Sequence, residues 1–493
     1  MDLTMLLDMA AGGFPDRTVV GTREEGLTAG ALQGAARKGA ALIAESDATC
    51  VVHLAVNGPA FPVALFAAAT AGVPFVPVNY RLGAEQLGAL LANHTGACVV
   101  AEGREVPGAR RSYTPDEWLA ATRAPSPAAR DEAAEPGRTS PAAVIIYTSG
   151  TTSAPKGVVL RHDNLVSYVI GSVEFGSAEA DEAALMCVPP YHIAAVSNVL
   201  TNLYAGRRLV VLDTFSPKRW LETVRAERIT NAMVVPTMLA RLMEDRAAER
   251  SVPTLRALAY GGAAMPPRVI ERALKEWPHV GFVNAYGLTE TSSTISVLGP
   301  DDHRRALVSE EPGERARLHS AGRPIPGIEI EIRDGDGAPA LPGTSGRVWV
   351  RGAQVSGKYA GVASENTDGW FDTRDLGRLD REGFLFVEGR QDDTIIRGAE
   401  NIAPAEIEDV LLRQPGVADA VVVGVPDEEW GQRIEAAVVP SRGALLDGEV
   451  LRAEVRRRLR GSKTPDRIVV WDEIPRTATG KVLRHEVRSE LSR

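Results

Sequence analysis

The chain has 493 residues, more than one hydrophobic core usually organises, so its length indicates two or more domains. Hydrophobic residues make up 44% and charged residues 24%, as in ordinary soluble globular proteins. The net charge of −9 argues against a nucleic-acid-binding protein, which would carry a clustered excess of Lys and Arg. The cysteines, Cys50, Cys98 and Cys187, are odd in number and far apart, which favours reduced thiols in a cytoplasmic protein.

The longest apolar stretch runs from Phe61 to Val78 and is interrupted by proline and glycine. This pattern predicts a buried helix followed by a buried strand rather than a membrane span. The N-terminus lacks the basic and then apolar segments of a signal peptide, so we expect neither a targeting segment nor a transmembrane segment.

Short runs of branched apolar residues alternate with segments of helical periodicity along the N-terminal part of the chain. The predicted strands are Val51–Val56, Cys98–Ala101, Ala142–Ile146, Arg208–Leu212, Asn231–Val235 and Arg256–Tyr260, and the predicted helices include Trp220–Arg228 and Thr237–Ala248. Strands that are apolar nearly throughout are typical of a parallel sheet covered by helices on both faces. The segment Glu105–Pro141 is rich in Pro, Ala, Arg and Glu, and we expect a surface excursion there.

The pattern of predicted strands and helices changes twice in the C-terminal part of the chain. From about residue 322 to 388, strands punctuated by Gly and Asp predict a small antiparallel or barrel-like subdomain, at Glu329–Arg333, Arg347–Arg351 and Phe384–Val387. Beyond Arg390 the pattern predicts an α+β tail, with helices near Ala405–Arg413 and Asp447–Arg460 and strands near Ala418–Val425, Glu435–Val439 and Arg467–Trp471. The predicted fold class is therefore α/β: a large N-terminal domain of parallel α/β layers (residues 1–390, with the β-rich subdomain), then a smaller α+β C-terminal domain (391–493).

The predicted strand Ala142–Ile146 runs into a loop rich in hydroxyl groups and glycine, from Thr148 to Gly157. Its candidate phosphate-binding residues are Thr148, Ser149, Gly150, Thr151, Thr152 and Lys156. Hydroxyls, backbone N–H groups and a lysine cation are the groups that a polyphosphate needs, although the loop lacks the G-x-x-x-x-G-K-[ST] pattern. Taken alone, such a loop is also compatible with a flexible polar turn.

The loop resembles the signature loop of the adenylate-forming superfamily, which contains acyl-CoA synthetases, peptide-synthetase adenylation domains and luciferases. The resemblance implies that the loop grips the β- and γ-phosphates of ATP while pyrophosphate leaves. Ser153 stands where this family usually has glycine, and a serine is small enough for us to expect tuning rather than loss.

Further motifs resemble the same family in the same order. Gly261-Gly262-Ala263 resembles its adenine platform, and the segment ending in His192 resembles the one that places a His or an aromatic residue beside the substrate carboxylate. The segment Asn284–Glu290 resembles its nucleotide motif, which contains Asn284, Tyr286, Gly287, Thr289 and Glu290. There the resemblance implies that the Tyr stacks on adenine, the Thr hydroxyl contacts the α-phosphate and the Glu binds Mg²⁺.

The last motifs concern the ribose, the hinge and the two half-reactions. By resemblance, Asp375 and Arg390 bind the ribose and Asp392 is the hinge of the C-terminal domain. Lys481 resembles the catalytic lysine that bridges the substrate carboxylate and the α-phosphate during adenylation only. The loop containing Gly398, Ala399 and Glu400 resembles the loop that lines the tunnel for the pantetheine arm of coenzyme A, although the family favours glycine where Ala399 stands.

The resemblance covers nearly the whole chain and implies an ATP- and Mg²⁺-dependent carboxylic acid:CoA ligase that acts through an acyl-adenylate. One alternative is transfer of the acyl group to an amine or a separate carrier protein, which the extra methyl group of Ala399 leaves open. Another, from a different class, is a phosphotransferase that uses the loop at 148–156; the missing Walker pattern and the presence of Lys481 count against it. Mainly apolar candidate walls at 193–197, 234–238 and 263–265 predict a hydrophobic monocarboxylate, aliphatic or aromatic, as substrate.

Overall fold

The computed structural model describes residues 1–103, 106–123, 140–148, 156–244, 249–360, 368–397, 400–459, 461–477 and 480–492. The large N-terminal domain has these strands: β1 (Thr18–Gly21), β2 (Gly26–Thr28), β3 (Val51–Leu54), β4 (Phe75–Pro77), β5 (Cys98–Ala101), β6 (Arg111–Tyr113), β7 (Ala142–Thr148), β8 (Lys156–Arg161), β9 (Ala183–Met186), β10 (Arg208–Val211), β11 (Asn231–Val234), β12 (Ala257–Gly261), β13 (Gly281–Leu288), β14 (Ser293–Leu298), β15 (Arg323–Pro324), β16 (Glu329–Arg333), β17 (Gly346–Arg351), β18 (Phe371–Leu379) and β19 (Leu385–Arg390).

Its helices are α1 (Leu3–Gly13), α2 (Ala29–Glu45), α3 (Ala60–Thr70), α4 (Ala84–Leu91), α5 (Pro115–Arg123), α6 (His162–Ser172), α7 (Ile193–Ala205), α8 (Pro217–Ala226), α9 (Pro236–Glu244), α10 (Pro267–Glu276), α11 (Pro300–Val308) and α12 (Pro312–Ala316). The smaller C-terminal domain contains β20 (Ile395–Arg397), β21 (Glu400–Ile402), α13 (Pro404–Leu412), β22 (Val417–Asp427), β23 (Gly431–Pro440), α14 (Gly448–Arg458), β24 (Arg467–Val470) and α15 (Arg484–Leu491).

Two mixed sheets form the layers of the large domain. Among the described residues, one sheet has the order β15-β14-β13-β12-β11-β9-β10-β1-β2 and the other the order β6-β5-β3-β4-β7-β8. The interior pairs, such as β11 with β12 and β3 with β5, are parallel, whereas β1–β2, β13–β14, β14–β15 and β7–β8 are antiparallel. The predicted α/β class with parallel layers is confirmed, and the antiparallel pairs lie at or beside the sheet edges.

The apolar stretch at residues 61–78 forms the helix and strand that its pattern predicts. Helix α3 is buried on every side, with Phe61, Leu65 and Phe66 fully enclosed, and it is followed by the buried strand β4. One hydrophobic cluster contains residues of α3 and of both sheets, so this helix is part of the shared core. In the part of the chain that the structure describes, no helix is both long and apolar enough to cross a membrane.

The expected surface excursion at 105–141 is wrong for its first part. Residues 111–123 form β6, which extends the smaller sheet, and α5, which packs against it. The indole of Trp118 is fully buried and contacts the ring of Tyr113 at 5.3 Å between centroids. Burial of the Trp118 side chain therefore helps to stabilise β6 and α5, although the composition of the segment is that of a loop. Residues 124–139 lie outside the described part of the chain.

The β-rich subdomain and the C-terminal domain both contain antiparallel sheets. Strands β16, β17, β18 and β19 pair in that order, as the expectation of a small antiparallel unit requires. In the C-terminal domain β22 and β23 form a long hairpin, and β24 adds to it in parallel. The predicted elements of this domain are present within a few residues, and α15 follows them in a charged stretch that buries only Val487 and Leu491.

The junction of β12 and β13 leaves no room for a side chain at Gly261. A Cβ there would lie 2.2 Å from the carbonyl oxygen of Ala285, which pairs with Gly261 across the sheet. We predict that Gly261→Ala destabilises the protein by about 2 kcal/mol, because backbone has to move to relieve the overlap. Gly262→Ala is the matched control: no atom lies within 4 Å of its Cβ position, and its φ of +85° adds a cost of about 1 kcal/mol. Urea unfolding midpoints measure both, and equal destabilisation would contradict the prediction.

Candidate active site

The candidate site is built around a carboxylate that two neighbouring elements hold in place. The side chain of Asp375, on β18, is 7% exposed, and one of its oxygens accepts a hydrogen bond from the Tyr286 hydroxyl at 2.5 Å. The other oxygen lies 2.8 Å from Nε of Arg390, the last residue of β19. Tyr286 and Arg390 reach Asp375 because β13 ends beside the subdomain and β18 pairs with β19 at Asp375 and Arg390.

Burial and charge act in opposite directions on this group. Burial raises the pKa of Asp375 above its ordinary value, and the Arg390 charge and the Tyr286 hydrogen bond, which favour the carboxylate, offset this only in part. The pKa of Tyr286 is raised well above its ordinary value, first by burial and then by the Asp375 charge, so its hydroxyl remains a hydrogen-bond donor. The structure therefore brings together three of the residues that the resemblance assigns to nucleotide binding.

A second carboxylate, that of Glu290, lies in the short 3₁₀ turn Thr289–Thr291 that follows β13. The Tyr359 hydroxyl donates to Oε1 of Glu290 at 2.7 Å, and the backbone N–H of Ser356 donates to the Glu290 carbonyl at 2.8 Å. The ammonium of Lys156 lies 5.7 Å from the centre of the Tyr359 ring. Tyr359 thus connects the predicted metal ligand to the predicted phosphate-binding lysine.

Tyr359 is a functional candidate that the sequence motifs do not include. It lies in a segment whose backbone pairs with β8, since the amide of Ala360 donates to the Gly157 carbonyl at 2.7 Å and that of Val159 to the Lys358 carbonyl at 2.9 Å. The sequence signal is weak, because a Tyr after Gly357 and Lys358 resembles any turn.

Lys481 comes to the same region from the C-terminal domain. Partial desolvation and the Arg390 charge lower the pKa of Lys481, whereas the carboxylates of Asp393, Asp375 and Glu290 act in the opposite direction. The residue before it, Gly480, packs against α9 of the large domain, since a Cβ there would lie 2.8 Å from the Thr237 hydroxyl oxygen, so the lysine loop lies where the two domains meet. The turn that carries Lys481 is closed by a hydrogen bond from the Thr477 amide to the Lys481 carbonyl at 2.8 Å, beside a bridge between Arg476 and Val482.

His192 lies at the N-terminus of α7, beside the residues predicted to enclose the acid. Its ring contacts that of Tyr191 at 4.7 Å between centroids. Burial lowers the pKa of His192 to about 4, so its imidazole is neutral at pH 7. A neutral imidazole can hydrogen-bond a carboxylate without adding a charge.

The remaining predicted residues have different surroundings. Thr148 and Lys156 face each other across the β7–β8 hairpin, whereas Ser149, Gly150, Thr151, Thr152 and Ser153 lie outside the described residues.

The Asn284 side-chain amide donates a hydrogen bond to the Ser320 carbonyl at 2.9 Å, so it stabilises β13 locally. Gly287 lies in a close crossing, since a Cβ there would be 1.8 Å from the Ser293 carbonyl oxygen, and Ala263 is partly exposed in the loop after β12. Glu400 pairs with Arg397 in a two-stranded ribbon, Asp392 lies in a 3₁₀ turn, and Gly398 and Ala399 lie outside the described residues.

The donor set fits a magnesium ion that arrives with a nucleotide. Within the described ranges, no group of three or more His, Cys, Asp or Glu side chains could hold a metal ion by themselves. Mg²⁺ commonly binds through one or two carboxylates together with substrate phosphates and water, and Glu290 supplies such a carboxylate. The residues therefore fit Mg²⁺ with ATP rather than a dedicated protein cage.

The fold, a large α/β domain followed by a smaller C-terminal domain, is that of the adenylate-forming superfamily. The chain belongs to the AMP-binding enzyme family: the family model described as "AMP-binding enzyme" matches residues 7–360, and the model described as "AMP-binding enzyme C-terminal domain" matches residues 406–481.

Three comparisons illustrate the range of this family. An indoleacetate–CoA ligase of Aromatoleum aromaticum is 33% identical over 518 residues, which cover 100% of this chain and 99% of the relative. The structure of o-succinylbenzoate CoA synthetase from Bacillus subtilis with its acyl-adenylate is 29% identical, with a TM-score of 0.83 and coverage of 98% and 97%. The amide bond synthetase McbA from Marinactinospora thermotolerans is 27% identical, with a TM-score of 0.85 and coverage of 99% of each chain.

The hydrogen bond between Tyr286 and Asp375 generates a prediction. Tyr286→Phe keeps the ring but removes one donor to a buried carboxylate, so we expect the KM for ATP in pyrophosphate exchange to rise about tenfold. The matched control is Tyr113→Phe, because the Tyr113 hydroxyl is buried and has no hydrogen-bond partner among the described residues. An unchanged KM for ATP in Tyr286→Phe would show that this hydrogen bond plays no part in nucleotide binding.

Proposed function

We propose that this protein is an AMP-forming carboxylic acid:CoA ligase. The observation that carries the proposal is the contact of the Lys481 loop with the large domain, where a Cβ at Gly480 would lie 2.8 Å from the Thr237 hydroxyl oxygen. The charges of Asp375, Asp393 and Glu290 also act to raise the pKa of Lys481, against burial and the Arg390 charge, which lower it. A lysine from the small domain beside the carboxylate centre of the large domain is the arrangement needed to join a carboxylate to the α-phosphate of ATP. The relationship to CoA ligases supports the second half of the activity.

In the first half-reaction, a carboxylate oxygen attacks the α-phosphorus, the bond from that phosphorus to the bridging oxygen breaks, and pyrophosphate leaves with the electron pair. Two anions must meet, so Lys481 and Arg390 act by reducing their repulsion. Asp375, held by Tyr286 and Arg390, orients the ribose, and neutral His192 positions the acid. Bound Mg²⁺ supplies charge neutralisation on the phosphates, with Glu290 as its protein ligand.

In the second half-reaction, the CoA sulfur attacks the acyl carbon, the bond from that carbon to the AMP oxygen breaks, and AMP leaves. The thiol needs access to the acyl carbon on the side where Lys481 lies during adenylation. Rotation of the C-terminal domain about Asp392 removes the lysine and brings the loop at 398–400 to the site, so one cavity serves both steps. We also propose that the boundary between the two domains lies between residues 390 and 391, next to Asp392.

The acid is proposed to be a hydrophobic monocarboxylate with an aromatic ring. Ile193, Ala194, Val235, Met238 and Met265 belong to or pack against the same hydrophobic cluster, at the start of α7, the start of α9 and the loop before α10. Thioether groups add adaptable apolar surface, which suits a flat ring. The name of one relative, indoleacetate–CoA ligase, points to an aromatic monocarboxylate. That of o-succinylbenzoate CoA synthetase supports the aromatic ring only, since o-succinylbenzoate has two carboxylates.

Transfer to an amine is the second candidate, and two observations favour it. One is the methyl group of Ala399 in the proposed pantetheine tunnel, and the other is the similarity to an amide bond synthetase over the full length. Both acceptors use the same acyl-adenylate, so only the second half-reaction distinguishes them. A phosphotransferase would not need a lysine from a separate domain.

The first half-reaction is tested by ATP–pyrophosphate exchange with a panel of aromatic, aliphatic and dicarboxylic acids. We predict exchange with an aromatic monocarboxylate, and a loss of about a thousandfold or more in Lys481→Ala, because this variant lacks the cation that bridges the two anions. Thioester formation from supplied acyl-AMP should survive in the same variant. Lys218→Ala is the control, since the Lys218 side chain is 81% exposed on α8.

Two results would contradict this proposal. Absence of exchange with every acid would exclude adenylation, and equal loss of both half-reactions in Lys481→Ala would exclude the exchange of roles between Lys481 and the loop at 398–400.

An exposed aromatic side chain beside that loop favours CoA as the acceptor. Trp430 is 46% exposed, and its neighbour Ile396, on β20, is 55% exposed. The Ile396 amide donates to the Gln432 side chain at 2.8 Å, which ties β20 to the hairpin that contains Trp430. The Arg397 guanidinium lies 5.6 Å from the centre of the Trp430 ring. The exposed ring of Trp430 suits stacking of an adenine, whereas the Arg397 guanidinium is already paired with Asp466, at 2.8 and 2.9 Å.

We predict that Trp430→Ala raises the KM for CoA about tenfold, since stacking of a base on an aromatic ring contributes about 1–3 kcal/mol. The rate with pantetheine, which lacks the nucleotide, should stay unchanged. Val450→Ala, which removes another exposed apolar side chain of the same domain, is the control. Formation of a hydroxamate from hydroxylamine but no thioester from CoA in the wild-type protein would instead identify an amine as the acceptor.

A further inference from the structure

The loop that carries Lys481 is held by a charged network inside the C-terminal domain. The guanidinium of Arg476 donates to both carboxylate oxygens of Asp419, at 2.8 and 2.7 Å. A second nitrogen of Arg476 donates to the carbonyl of Gly480, the residue before Lys481, at 2.6 Å. One arginine therefore links the start of β22 to the backbone of the lysine loop, in a planar geometry that lysine cannot reproduce.

The same loop touches the large domain at Gly480. This residue has a φ of +80°, and a Cβ there would lie 2.8 Å from the hydroxyl oxygen of Thr237, on α9. The amide of Gly480 donates to the Thr477 carbonyl at 2.8 Å, which closes the turn. The backbone before Lys481 therefore packs closely against α9, and its conformation is defined from both domains.

A contact between the domains lies at the other end of this network. Arg268, in the first turn of α10, donates a hydrogen bond to the carbonyl of Ala418, the residue before Asp419. The carboxylates of Glu244 and Asp419 lie near enough for their charges to act on the Arg268 guanidinium. A side chain of the large domain thus binds the backbone beside the aspartate that orients Arg476.

We propose that Arg268 is a positioning residue, which places Lys481 for adenylation through Ala418, Asp419, Arg476 and Gly480. This inference rests on the proposed function, because it assigns Lys481 to the first half-reaction. It goes beyond that function by identifying a residue of the large domain, outside the site, that selects one of the two domain orientations.

The contacts explain why the effect should be specific to one half-reaction. The bond from Arg268 to Ala418 joins the two domains, so it exists only while Lys481 lies at the site. Rotation of the C-terminal domain breaks this bond before the thiol attacks. Its loss should therefore lower adenylation and leave thioester formation unaffected.

The experiment measures both half-reactions and hydrogen exchange in Arg268→Ala, Asp419→Asn and the wild-type protein. In Arg268→Ala we expect the rate of ATP–pyrophosphate exchange to fall about tenfold, the range for one hydrogen bond to a charged donor, with thioester formation from supplied acyl-AMP unchanged. Asp419→Asn should show the same split, because it weakens the link to Arg476. Arg272→Ala is the control, since Arg272 is exposed one turn further along α10.

Hydrogen exchange reports on the contact without relying on turnover. We expect amides of α9 and of residues 480–492 to exchange faster in Arg268→Ala than in the wild-type protein, with the β22–β23 hairpin unchanged. Unchanged protection in α9, or an equal loss of both half-reactions, would overturn the inference. A wild-type protein that shows no pyrophosphate exchange would instead refute the proposed function, while the exchange of α9 amides would still test the contact.

Discussion

The site depends on keeping the Asp375 carboxylate charged although it is buried. A buried carboxylate without partners would take up a proton, and it would then lose its value as a hydrogen-bond acceptor. Arg390 and Tyr286 counteract this, because one contributes a charge and the other a hydroxyl at 2.5 Å, while burial still leaves the pKa of Asp375 above its ordinary value. These partners come from β19 and β13, so the β-rich subdomain and the larger sheet must be correctly packed before the carboxylate can function.

The same arrangement explains the place of Lys481. Arg390 already compensates much of the charge of Asp375, so a second cation at this point experiences repulsion as well as attraction. A lysine fixed there permanently would have a lowered affinity for its own proton. In the proposed mechanism, a lysine on a separate domain enters when ATP adds several negative charges, and it leaves when pyrophosphate removes them. The balance of charge therefore favours a mobile rather than a resident cation.

A strand could be predicted from the sequence where its buried residues are apolar, and not where they are polar. Cys98–Ala101 and Glu329–Arg333 match their predicted bounds, because the first is apolar throughout and the second is a short strand bounded by turn residues. Strand β18 is harder to predict, because it buries Thr373 and Asp375 where a strand normally has apolar residues. Asp375 is buried with Tyr286 and Arg390 as its partners, and its amide donates to the Thr373 hydroxyl. The order of strands in the sheets depends on contacts between distant parts of the chain and could not be predicted.

The candidate site likewise contains some residues that could be predicted from the sequence and others that could not. The motif residues could be identified because each lies in a recognisable local pattern, and the structure brings Tyr286, Asp375 and Arg390 into contact. Their individual roles stay predictions. Tyr359, Arg268 and Asp419 carry no local signal, since an isolated Tyr, Arg or Asp is usually a surface residue. Their importance comes from what the fold places opposite them: a carboxylate, a carbonyl of the other domain and an arginine.

A backbone carbonyl as the partner of Arg268 suits the proposed rotation between two domain orientations. A carboxylate in that place would form a stronger charged pair, and the energy needed to separate the pair would slow the rotation. A neutral carbonyl gives a directional bond of moderate strength, which exposure to water after rotation largely replaces. Asp419 lies one residue further on and is occupied by Arg476 within its own domain. The strong pair therefore lies where the structure stays rigid, and the weaker bond lies where the domains must separate.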